Sequence, residues 1–201
     1  MFRLPALVRL ALSAAVTVLA LVAATGCDGG AIAASAPQSN GQGFVGSSYA
    51  STYLRPGNRP IAPAVSGTTV SGSKLSLASY RGDTVVLNFW GSWCAPCRAE
   101  APALGTLARQ LYRQGVRFVG IDIRDEPDSA LAFMQTFRVG YPSISDPDDE
   151  IALAFRSTVP PLAIPTTVVI DRSGRIAARI VGGASYDQLK ALIAEVAGKG
   201  S

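Results

Sequence analysis

Cys94 and Cys97 stand three residues apart where an apolar strand gives way to a helix, and that placement constrains the chain more than any other feature. Residues 85–90 form an apolar run broken only by Asn88, the pattern of a strand covered on both faces. Residues 95–114 carry Ala99, Ala103, Leu104, Leu107, Ala108 and Leu111 at helical spacing, with Gly115 as the stop. A C-x-x-C pair on a first helical turn puts both sulfurs on one face, close enough for a disulfide with little backbone motion. Pro96 is tolerated there because the first helical N–H groups have no intrahelical partner to lose. The positive end of the helix favours a thiolate at Cys94, which makes Cys94 the expected nucleophile and Cys97, one turn deeper, the resolving thiol.

Other uses of such a pair fit the residues less well. A structural zinc site needs four ligands, and with no histidine and no second cysteine pair only carboxylates would remain. Covalent haem attachment needs a histidine after the second cysteine, where this chain has Arg98. A purely structural disulfide stays open, although so short a loop constrains the unfolded chain weakly. No metal or other cofactor is expected. The lack of histidine also excludes His-based triads and any imidazole base, leaving acid-base work to carboxylates, lysines or thiols.

The third cysteine does a different job. Residues 1–26 hold Arg3, Arg9, an apolar run over 10–24, and then Ala23, Ala24, Thr25 and Gly26 before Cys27, the layout of a signal peptide. The small residues ending in Gly-Cys resemble a bacterial lipoprotein cleavage box, with Ala24 where that box usually has leucine; Cys27 would then be the lipid-modified first residue of the mature chain. A retained membrane span and ordinary cleavage that leaves a free thiol are the alternatives. Each exports the remainder into a compartment where disulfides persist. Removing residues 1–26 lowers the formal charge from +4 to +2, which argues against a nucleic-acid partner. Residues 27–60 are rich in Gly, Ser, Ala and Asn without an apolar period, and read as a flexible tether spanning on the order of 30 Å.

The folded domain is expected over residues 61–201, and the 48% hydrophobic content is enough for a substantial core. Residues 68–70 and 74–77 read as a short hairpin, and residues 116–123 as a strand. Helix candidates at 128–138, 148–155 and 186–196 alternate with strand candidates at 143–145, 166–171 and 175–181. The last two strands are joined by Arg172, Ser173 and Gly174, a hairpin turn. The alternation predicts an α/β domain with a mostly parallel central sheet flanked by helices.

Taken together, Val86-Leu87-Asn88-Phe89-Trp90, Trp93-Cys94-Ala95-Pro96-Cys97-Arg98, Glu100 with Pro102, Tyr141-Pro142 leading to Asp146-Pro147-Asp148, and Ile164-Pro165-Thr166-Thr167 leading to Ile170-Asp171 are specific. Over residues 62–197 they resemble the TlpA/ResA-like branch of the thioredoxin superfamily, which includes extracytoplasmic cytochrome c maturation reductases. The resemblance implies a thioredoxin-like fold with a central mixed sheet, an N-terminal β-hairpin, and an inserted helix and strand over 124–146. It implies a cis bond before Pro165 facing the cysteine pair, with the Ile164 backbone available to pair with an extended substrate segment. Trp93 would line the substrate surface, while Trp90 packs.

Glu100 matches a glutamate that this branch places beside the redox pair, so the resemblance implies a proton-handling role; from spacing alone, an acid favoured by the helix N-terminus serves as well. Asn88 departs from thioredoxin itself, which has a buried aspartate at that point, and a neutral amide cannot shuttle protons. Pro102 lacks an N–H for the carbonyl of Arg98 and should kink the helix. The implied function is lipid-anchored thiol-disulfide exchange on the extracytoplasmic face of a bacterial membrane. It would reduce exported proteins such as apocytochrome c, and a membrane thiol transporter of the CcdA/DsbD type would recharge it. Net disulfide formation, and a redox-inactive binding lipoprotein on the same fold, are the competing readings.

Overall fold

A computed structural model describes residues 45–46, 51–158 and 163–198. The expected signal peptide, Cys27 and most of the expected tether lie outside the described residues. In chain order the strands are β1 (Val45–Gly46), β2 (Ser51–Tyr53), β3 (Ser66–Thr68), β4 (Lys74–Ser76), β5 (Thr84–Trp90), β6 (Val116–Ile123), β7 (Ser143–Asp146), β8 (Thr166–Ile170) and β9 (Ile176–Val181). The α-helices are α1 (Ala95–Leu111), α2 (Pro127–Thr136), α3 (Glu150–Ala154) and α4 (Tyr186–Gly198). Among the described residues no helix is long and apolar enough to cross a membrane.

The seven-stranded sheet runs β1-β2-β9-β8-β5-β6-β7, and β3 with β4 forms a separate hairpin. β5 has no exposed residue, as its apolar run requires. Its alternate side chains feed two cores. Val86 and Trp90 pack with Ala101, Leu104 and Leu107 of α1 and with Leu189, Ile193 and Val196 of α4. Val85, Leu87 and Phe89 pack on the opposite face with Ile121, Ile144, Phe155 and Val168. Asn88 shares its face with Val86 and Trp90, so it points toward α1.

The sheet is mixed, as the resemblance implies, and the mostly parallel sheet expected from the alternation alone is corrected. Among the described residues only the β5–β6 and β6–β7 pairings are parallel, while β1–β2, β2–β9, β9–β8 and β8–β5 are antiparallel. The sequence alternation holds up to β7. After α3, however, the chain enters β8 at the end of the sheet where β5 leaves it, with Thr166 opposite Phe89. This reversal brings Pro165 to the same end as the cysteines.

The N-terminal boundary also moves. Residues 51–60, placed in the tether by composition, are docked: β2 pairs with β9, and Leu54 is buried. Arg59 explains the docking. Its Nη1 meets Asp171 Oδ2 at 2.9 Å, its Nη2 donates to the Tyr53 hydroxyl at 2.7 Å, and its Nε donates to the Leu54 carbonyl at 3.1 Å. Asp171 Oδ1 accepts from Ser173 N, Ser173 Oγ and Arg175 N in the β8–β9 turn. Burial alone would raise the Asp171 carboxyl, but the hydrogen bonds from Ser173, Arg59 and Arg175 outweigh it and hold it below the usual carboxylate range. A polar segment can therefore dock through one buried, fully bonded ion pair where its apolar content is too small to do so.

Removing one partner of a buried pair strands the other. Arg59→Ala is expected to destabilise the domain by about 3–5 kcal/mol, read as a fall in the denaturant midpoint. A loss below about 1 kcal/mol, the size of an exposed pair, would show that residues 51–60 are not clamped.

Candidate active site

β5 delivers the chain to a short loop, residues 91–93, and Cys94 caps the first turn of α1. Its φ of −85° and ψ of 108° are extended rather than helical, and its sulfur accepts from the Cys97 N–H at 3.3 Å. Cys94 and Cys97 form a disulfide, with their Cα atoms 5.3 Å apart. Cys94 is 5% exposed and Cys97 1%, so Cys94 is the cysteine nearer solvent. Pro96 occupies the first helical turn, where its missing N–H costs no hydrogen bond. α1 continues through Pro102 to Leu111, followed by a 3-10 turn that Gly115 closes at φ 75°.

Glu100 lies one turn beyond Cys97 and is buried. Its Oε1 accepts from Asn88 Nδ2 at 2.8 Å, and its Oε2 accepts from the Ala184 N–H at 3.0 Å. Asn88 Nδ2 also donates to Thr167 Oγ1 on β8, at 3.1 Å. Burial pushes the Glu100 carboxyl up to about 7, against the downward pull of the Ala184 and Asn88 hydrogen bonds. The phenol of buried Tyr141 is likewise raised, by burial first and then by the Glu100 charge. A carboxyl poised near neutrality is suited to taking or giving a proton. Asn88 donates one hydrogen bond to it and cannot compete for the proton.

The Ile164–Pro165 bond is cis. Ile164 is half-buried and packs against the core cluster that contains both cysteines. Trp93 is 54% exposed, while Trp90 is buried and stacks on Phe133 with ring centroids 4.3 Å apart. Cys94, Cys97, Glu100, Ile164 and Pro165 thus meet at one end of the sheet, with Trp93 on the adjoining surface. Among the described residues no group of three or more His, Cys, Asp or Glu side chains could hold a metal ion.

Three polar residues went unread in the sequence. Asp125 follows β6, and its Oδ2 accepts from Ser92 N while its Oδ1 accepts from Ser92 Oγ at 2.8 Å. Asp122, at the end of β6, is 1% exposed and lies opposite Trp90 in register. The available signal was an acid inside the otherwise buried run Phe118-Val119-Gly120-Ile121-Asp122-Ile123, a placement that propensity alone does not favour.

A model of the AhpC/TSA family matches residues 59–179. The thiol-disulfide oxidoreductase ResA of Geobacillus kaustophilus is 33% identical over 129 residues, covering 64% of this chain and 72% of that protein. The ResA of Bacillus thuringiensis subsp. konkukian is 31% identical over 136 residues, covering 67% and 76%. Among solved structures, a DsbF homologue from Corynebacterium diphtheriae superposes with a TM-score of 0.69 at 32% identity, covering 77% of this chain and 98% of that one. A secreted thiol-disulfide isomerase from Corynebacterium glutamicum gives a TM-score of 0.71 at 28% identity, covering 79% and 98%.

The buried acid has a signature in stability. Because the Glu100 carboxyl rises from 4.5 to about 7 on folding, the fold keeps a proton that the unfolded chain releases. Its contribution is complete below pH 4.5 and is lost as pH rises through about 7, a fall of about 3 kcal/mol in the disulfide-bonded protein. Denaturation of Glu100→Gln across that window should show this slope flattened. A slope equal to the parent's would remove Glu100 as its source.

Proposed function

Since the chain belongs to the AhpC/TSA family and is a thiol-disulfide oxidoreductase of thioredoxin-like fold, we propose that its working reaction is the reduction of disulfides in exported proteins, apocytochrome c among them. The observation that carries the reading is the Cys94–Cys97 disulfide at the N-terminus of α1, with a buried carboxyl one turn below it.

In the reduced enzyme the Cys94 thiolate attacks one sulfur of the substrate disulfide. A mixed disulfide forms and the other substrate sulfur leaves as a thiolate. Cys97 then attacks Cys94 within the same helical turn, releasing the second substrate thiol and restoring the Cys94–Cys97 disulfide. Two electrons pass from enzyme to substrate. Glu100 takes the Cys97 proton during the second step, a role supported by its burial and its elevated pKa. The exposed Trp93 ring and the backbone at Ile164 receive the substrate chain around its cysteine. A membrane thiol transporter of the CcdA/DsbD type returns the two electrons.

The same reading places the domain outside the cytoplasm, tethered by lipid at Cys27. Support comes from residues 1–26, from the small residues before Cys27, and from similarity to a secreted isomerase.

Two measurements test this. Cys97→Ser should accumulate a mixed disulfide through Cys94 with an exported partner, whereas Cys94→Ser should not, because only Cys97 can release the partner by the intramolecular route. Mapping the joined peptides identifies the substrate: haem-attachment cysteines support cytochrome maturation, and scattered exported proteins support general exchange. Equal trapping through Cys97 in Cys94→Ser would reverse the nucleophile, and failure of both variants to trap would favour a redox-inactive binding lipoprotein. The intact mass of the membrane fraction should begin at Cys27 with added acyl mass; a soluble chain cut elsewhere contradicts the anchor.

A further inference from the structure

We propose that Asp125 is a positioning residue of the redox site, gripping Ser92 so that residues 91–94 hold the Cys94 sulfur at the helix N-terminus, and that Asp122 beside it makes the charge of that grip proton-dependent. The inference rests on the thiol-exchange reading and concerns how that site is held.

Ser92, two residues before Cys94, is fixed through all its polar groups. Asp125 accepts from its N–H and its hydroxyl, while Arg98 donates to its carbonyl from Nε at 2.9 Å and Nη2 at 2.7 Å. Arg98 is itself anchored on the nucleophile's turn, its N–H donating to the Cys94 carbonyl at 3.3 Å. The Cys94 N–H donates to the Gly91 carbonyl at 3.1 Å and closes the loop. Gly91 lies under the Trp93 ring, where a Cβ would come within 2.7 Å of the indole nitrogen. The loop therefore has little slack of its own, and the Asp125 carboxylate ties it to the segment that follows β6.

Behind Asp125 sits Asp122, 1% exposed, its Oδ1 without a hydrogen-bond partner among the described residues. Burial, then the charge of Asp125, a hydrogen bond with Asp125 and the charge of Asp146 raise the Asp122 carboxyl to about 8. The charged groups around the pair are Asp146 of β7, which caps Ile151 N and Ala152 N; Arg124, paired with Asp149; and Arg98 across Ser92. Below about pH 8 Asp122 holds its proton. As pH rises through about 8 Asp122 gives its proton to solvent, and the added charge opposes the positive helix end that favours the Cys94 thiolate.

The test uses the reduced mature protein, following alkylation of Cys94 by iodoacetamide from pH 5 to 10 and exchange with an oxidised cysteine-pair peptide. Asp125→Ala should slow exchange about tenfold and move the Cys94 titration upward, with Asp125→Asn, which keeps one acceptor oxygen, recovering part of the rate. Ser92→Ala removes the hydroxyl half of the grip without touching the core, and should shift both readouts in the same direction by less. Should Asp125→Ala fail to fold, Ser92→Ala decides. Asp122→Asn should abolish the inflection near 8 in the exchange rate and leave the titration of Cys94 itself. Rates and titrations within about twofold of the parent in folded Asp125→Ala and Ser92→Ala overturn the grip. An inflection near 8 in the exchange rate that survives Asp122→Asn overturns the proton dependence. A parent that does not exchange, with Cys94 titrating as an ordinary thiol at about 8.5, overturns the exchange reading and this proposal with it.

Discussion

A carboxyl group held away from water, with no cation as its partner among the described residues, joins the parts of the chain that make the site. Glu100 reaches from α1 to Asn88 in the central strand and to the backbone of Ala184, 84 residues further along. Asn88 in turn reaches Thr167 in β8. A buried acid is tolerable only where its oxygens are hydrogen-bonded, so these donors come as a set with the acid. That requirement fixes α1 against the sheet one turn below the cysteines. The disulfide, the loop before it and the Ile164–Pro165 segment are then placed by elements whose relative positions are already set.

The sheet contributes direction. β5 and β8 run antiparallel, and Thr166 lies opposite Phe89, so the start of one strand adjoins the end of the other. A parallel β8 would have carried Pro165 to the far end of the sheet. The mixed topology is thus what brings two segments some seventy positions apart in the sequence to one end, while α1 and α4 cover the face that Val86 and Trp90 present.

Much of this was legible in residue order. The uninterrupted apolar run of β5, the helical spacing after Cys94 and the stop at Gly115 each announce a local structure that tertiary contacts then reinforce. The two-residue spacer between the cysteines, on a first helical turn, announces the disulfide. What stayed hidden was non-local. The polar residues 51–60 dock through Arg59 and Asp171, 112 positions apart, and neither residue alone marks the contact. The direction of β8 depends on which end of the sheet the chain reaches after α3, which periodicity does not encode. The donor for Glu100 at Ala184 is a backbone N–H, invisible to any pattern of side chains, and the burial of Asp122 depends on its place between β5 and β7, which local pattern does not encode.

Both margins of the large sheet end in very short segments. On one side β9 is covered by the three residues of β2 and then by the two of β1. On the other, the four residues of β7 are met by an isolated bridge from Thr69 to Ile144 and by the Val70 N–H on the Ser143 carbonyl. A long bare strand edge is a template for any extended chain nearby, and among the described residues neither margin offers more than a few residues of open ladder. Short margins of this kind give a neighbouring copy little ladder on which to zip into a continuous β-ribbon.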